Sequence, residues 1–217
     1  MDGMLIWVLT FALAAADPQA GRLIRSPGEY LESKVREGLA KGVEPARILE
    51  TIRRRREDFR AAAGALDRAF REGGKDPLEG EARWEAVLEL QRAADLGLPR
   101  ESVLAVVEDC LRWGPRGRTE AELLSSAVRF AGVARGVGIP SGRVVRIVRE
   151  CVRRGWGAGD FRLSSRSLLE LRGREGGRFP AEEVGGWVEE EMGRAPSCAA
   201  AWERVRGRLE SRGAAPR

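Results

Sequence analysis

The chain has 217 residues, 43% hydrophobic and 33% charged, the balance of a folded globular protein, and its aromatic share of 6% beside abundant Ala, Leu, Val, Arg and Glu favours helices over a sandwich or barrel. The formal charge of +5 rests on arginine, with lysine only at Lys34, Lys41 and Lys75, which suits an anionic partner without naming one. Histidine is absent, which excludes Ser-His-Asp and Cys-His nucleophiles, imidazole bases and histidine-containing zinc sites; Cys110, Cys151 and Cys198 lack any CxxC spacing, so neither a metal nor a cofactor is expected.

From Met4 to Ala16 the sequence reads MLIWVLTFALAAA, an apolar run ending in small side chains. The run is shorter than the roughly 20 residues that span a bilayer, and it offers A-x-A cleavage patterns at Ala12–Ala14 and Ala14–Ala16. Residues 1–16 therefore read as a signal peptide, implying export to the periplasm or beyond and no permanent membrane span after cleavage. Asp2 stands where a signal peptide usually carries a base, which fits the alternative of an apolar first helix in a cytoplasmic protein.

Residues 17–72 are expected to form a first helical hairpin with an overlong second helix, opened at Ser26-Pro27-Gly28-Glu29 and uninterrupted by proline from Ala46 through Arg71. Its run Arg53 to Arg56 points around the whole helix circumference, and Glu50, Glu57 and Asp58 lie at i±3 and i±4, which predicts a solvated, salt-bridged helix. The stretch KVREGLAKGVEPARI, Lys34 to Ile48, resembles one found in uncharacterised exported bacterial helical-repeat proteins. That resemblance implies export and helical repeats and assigns no functional residue. Residues 73–81 read as a linker.

Residues 82–196 carry an internal repeat. The segments LGLPRESVLAVV, VGIPSGRVVRIV and GRFPAEEVGGWV each place a hydrophobic residue (Leu98, Ile139, Phe179) before a proline and an aliphatic residue (Val103, Val144, Val184) five positions later. The motif thus recurs with a period of roughly 40 residues, the length of a two-helix unit. KGVEPARILETI, with Val43 and Ile48, is an earlier copy. Such a hydrophobic staple followed by an apolar stripe predicts an all-α fold of stacked two-helix hairpins, without a sheet. Asp76-Pro77-Leu78-Glu79 and Thr119-Glu120-Ala121-Glu122 read as further helix openings, and residues 197–217 as a terminal helix and tail.

Ala134, Gly138 and Val144, like Ala93, Gly97 and Val103, have the spacing of a helix-turn-helix, and the helix after Ser141 would turn Arg143, Arg146, Arg149 and Arg153 toward phosphates. A tight hairpin repeated at a fixed period needs the same residues, and Glu101, Glu108 and Asp109 would repel phosphate in the preceding copy, so nucleic acid is the alternative partner rather than the expected one. Arg153, Arg154, Trp156 and Phe161, around a glycine-rich loop, form the expected binding surface, since arginine and aromatic residues are favoured at interfaces. Trp84, Trp113, Trp187 and Trp202 read as core or interhelix wedges. Cys110 and Cys151 occupy equivalent apolar positions and read as small buried hydrophobes rather than a disulfide. Glu182, Glu183, Glu189 to Glu191, and Glu101 followed by Ser102, are the best remaining resource for a glycan-cleaving acid, and no catalytic residue is assigned. The expectation is a non-catalytic binding or scaffolding protein of the bacterial periplasm or envelope, with a protein or an anionic envelope component as partner; the alternative is a cytoplasmic helix-turn-helix DNA-binding protein.

Overall fold

A computed structural model describes residues 27–114, 118–175 and 180–213. The signal peptide expected at residues 1–16, the cap residue Ser26 and the staple residue Phe179 lie outside them. Every regular element among the described residues is an α-helix. The chain divides into two compact units, the boundary falling between Ile52 and Arg53.

In the first unit α1 (Pro27–Ala40) turns at Gly42 into the start of α2 (Pro45–Glu72), a helix of 28 residues. Tyr30 and Ile48 are buried, and Ile48 lies so close to Gly38 that a Cβ there would stand 3.0 Å from its Cδ1. Val43 is 37% exposed, so the staple expected between Val43 and Ile48 is not a buried pair.

The second unit holds the rest of α2 and two layers of stacked helices. One layer is α3 (Gly80–Asp95), α5 (Arg118–Gly136), α7 (Ala158–Glu175) and α9 (Cys198–Gly213), each packed on the next; the other is α4 (Arg100–Trp113), α6 (Ser141–Arg153) and α8 (Ala181–Arg194). The openings of α4, α6 and α8, at Arg100, Ser141 and Ala181, keep the interval of the sequence repeat. Their apolar stripes face inward: Val103, Val106, Val107 and Cys110 on α4 and Val144, Ile147, Val148 and Cys151 on α6 are all buried. On α8 the stripe narrows to Val188 and Met192, with Val184 and Trp187 half-buried. This is a stacked-hairpin repeat fold, in which each hairpin buries its apolar face only against its neighbours.

The turns explain the period. After α3 the Gly97 N–H donates to Ala94 O and the Leu98 N–H to Ala93 O, at 2.9 and 3.0 Å; after α5 Gly138 and Ile139 repeat the pattern on Arg135 and Ala134. This paired closure requires a left-handed residue, which glycine supplies at φ 84° and 99°. It also turns the following residue back onto the helix it ends, so Leu98 and Ile139 are buried before the next helix begins. Proline then serves as N-cap without a side-chain bond, its carbonyl accepting from Val103 and from Val144 at 3.0 Å.

Two expected openings shift. Gly80 takes φ 56° and breaks the helical path that Pro77 would begin, so α3 starts after Glu79 and Asp76 lies outside it. Helix α5 already includes Arg118, which puts Thr119 inside the first turn instead of at the cap, and Glu120 is buried in an ion pair with Lys75.

Candidate functional site

Helix α6 carries the arginines of the alternative phosphate-contacting face. Its aliphatic stripe is buried, which fixes its rotation and sends Arg143, Arg146 and Arg149 along the sides of the helix toward α8 and α4. Arg146 donates to both Glu189 oxygens at 2.6 and 3.3 Å, and Arg143 stands 3.5 Å from the same carboxylate. On the other side the Arg149 Nε contacts both Asp109 oxygens at 3.1 and 3.0 Å. Three of the four arginines the sequence offers to phosphate are thus ion-paired with neighbouring repeats, and Arg153 is left exposed.

The same register recurs in the other layer. Arg129 on α5 donates to Glu89 on α3 at 2.7 Å, Arg135 donates to the Gly97 carbonyl at 3.0 Å, and Arg55 on α2 pairs with Asp95. The arginines reach acceptors 38 to 43 residues away, about one repeat. Glu89 and Asp109 are 1% and 5% exposed, and a carboxylate withdrawn from water is tolerable only with charged donors. The Glu89 hydrogen bond in turn holds the Arg129 guanidinium above its usual pKa. Glu191 follows the rule at the last hairpin: it is buried and meets Arg208 at 2.5 Å and Arg204 at 3.6 Å, both on α9. Asp109 does not stand out in the sequence, because Arg149 lies a repeat away; Glu89 joins such a distant partner, Arg129, to a local one, Arg92, at 2.6 Å, and Glu191 takes its partners from the next helix.

The expected binding surface is split among three environments. Arg153 is exposed, its guanidinium 4.9 Å from the Trp113 ring, and Trp113 is 47% exposed at the end of α4 instead of wedged between helices. Arg154 donates to the Met192 and Ala195 carbonyls at 2.6 and 2.8 Å, satisfying the end of α8. Trp156 and Phe161 are core residues, 8% and 1% exposed, with Phe161 packed against Phe130 at 5.7 Å between ring centroids. The cause is backbone closure: Gly155 and Trp156 donate to Val152 O and Cys151 O at 3.0 Å, the same motif that buries Leu98 and Ile139. The repetition of glycine followed by a large apolar residue was the sequence signal for this burial. These four residues form no common surface.

Trp84 and Trp202 are buried as expected; Trp202 donates to Ser164 Oγ at 2.9 Å, which also lies 3.3 Å from Cys198 Sγ. Burial pushes the Cys110 and Cys151 thiols well above the usual range. On α2 the local salt bridges expected for Arg53, Arg54 and Arg56 do not form: Arg55 reaches across to Asp95, and the other three have no ion pair among the described residues. No group of His, Cys, Asp and Glu able to hold a metal ion occurs among the described residues, and no helix there is long and apolar enough to cross a membrane. Comparison with family models, curated proteins and solved structures finds no match to the chain.

Proposed function

We propose that this chain is a non-catalytic binding or scaffolding protein exported to the bacterial periplasm or envelope. The supporting observation is the interlocking of successive hairpins by arginine–carboxylate pairs at the repeat spacing, Arg129 with Glu89 and Arg149 with Asp109, which uses buried acids as structural joints and gives a stacked fold whose outer helix faces are available to a partner. The acids named for a glycan-cleaving mechanism are divided between such joints and solvated helix faces: Glu189, Glu190 and Glu191 all pair with arginine. Export rests on the apolar run from Met4 to Ala16 and its small-residue end.

Expression in a bacterial host, followed by fractionation and intact mass, tests this reading. The expected result is a periplasmic chain starting near Ala15 or Asp17; an intact chain confined to the cytoplasm would overturn it.

A further inference from the structure

Helix α2 differs from α6 in what its arginines do. Its inward side carries Phe59, Leu66 and Phe70, with Phe59 set edge-on to Trp84 at 5.2 Å, and Arg83 of α3 donates to both oxygens of Asp67 at 3.1 and 2.8 Å. These contacts fix the rotation of the second unit's part of the helix. At 100° per residue, Arg53, Arg56, Arg60, Arg68 and Arg71 then fall within an arc of about 120° over a length of about 27 Å. All five are exposed, and none has an ion-pair partner among the described residues. The acids in the same arc are Glu57 and Asp67, and Asp67 is already held by Arg83. Where α6 pairs Arg143, Arg146 and Arg149 within the stack, α2 leaves a cationic stripe facing outward.

We infer that this face of α2 docks on a membrane rich in anionic phospholipid. The inference deepens the binding-protein reading and rests on it for the partner's location. Charge complementarity identifies an anionic partner, since clusters of four to eight basic side chains on one helix face bind acidic headgroups without any pocket. The side chains between the arginines favour lipid over nucleic acid. Glu57, Gly64 and Asp67 include no amide or hydroxyl to read base edges and no aromatic ring to stack on a base, whereas phosphate headgroups in a plane demand only charge along a straight line.

The test is co-sedimentation of the full chain with vesicles of pure phosphatidylcholine and of phosphatidylcholine mixed equally with phosphatidylglycerol. The apolar N-terminal segment is common to all variants, so the ratio of the two affinities isolates the charge effect. At about 1 kcal/mol per basic residue, Arg53→Gln with Arg56→Gln and Arg60→Gln should lower that ratio about 100-fold, and Arg68→Gln with Arg71→Gln about 25-fold. The control Arg100→Gln with Arg112→Gln and Arg206→Gln removes equal charge from exposed sites on other helices and should leave the ratio within a few-fold of the parent. All these side chains are solvent-facing and glutamine is a good helix former, so unchanged thermal melts are expected and verify folding. No preference for the anionic vesicles, or an equal loss in the control, would overturn the inference. So would tighter binding to duplex DNA than to the mixed vesicles at the same salt, abolished by the stripe variants. Vesicle binding and cellular location are read separately: a periplasmic chain without the preference sinks only this inference, and a cytoplasmic chain with it sinks only the export reading.

Discussion

Gly97 and Gly138 occupy the same place in successive hairpins, yet a methyl group would meet different surroundings at each. Both take positive φ, but a Cβ at Gly97 finds only Arg135 Nε at 3.9 Å, whereas at Gly138 it would stand 2.8 Å from the Ala181 Cβ. Gly97→Ala should therefore cost about 1 kcal/mol of left-handed strain, and Gly138→Ala about 3 kcal/mol because α8 must also move. Urea unfolding of the two variants measures the gap; equal losses would mean that the approach of the turn before α6 to the start of α8 carries no constraint. The residue that follows these glycines teaches a second lesson. Leu98 and Ile139 were legible as core because a proline follows them. Trp156 sits in the same closure but is followed by Gly157, and its aromatic character beside two arginines suggested a surface. The backbone motif, common to all three, decided its burial.

At the scale of the helix, the apolar stripes of α4 and α6 could be read directly, because burial on one side leaves a helical period in the sequence. The charges on the flanks could not. Local pairing at i±3 and i±4 is visible in a string of residues, but Arg149 and Asp109 are far apart in the chain and meet only after the hairpins stack. The Arg149–Asp109 joint gives a test: Asp109 is nearly enclosed while Arg149 is half-exposed, so losing the arginine strands the acid. Arg149→Ala should destabilise the protein by about 3 kcal/mol, and Arg149→Ala combined with Asp109→Asn should recover part of the loss. A double variant as unstable as the sum of the single ones would show that the two side chains act independently.

Over the whole molecule, the recurrence of Leu98 and Ile139 ahead of their prolines revealed the architecture before any contact was known, whereas the shifted openings of α3 and α5 needed the backbone itself. The buried cysteines report on this architecture. Cys110 and Cys151 lie inside the stack with thiols pushed upward by burial, so at neutral pH alkylation should be undetectable in the native protein and should appear with the cooperative unfolding transition. Rapid labelling of either thiol without loss of helicity would contradict the packing. One further consequence lies in the alternation of charge along the joints. Arg149 reaches back to Asp109, and the equivalent position in the next repeat is Glu189. Excising the middle hairpin would bring Glu189 opposite Asp109, acid against acid. The hairpin containing α6 is thus an adaptor of opposite polarity between its neighbours, so the stack has a fixed order: its units cannot be shuffled or dropped like interchangeable bricks.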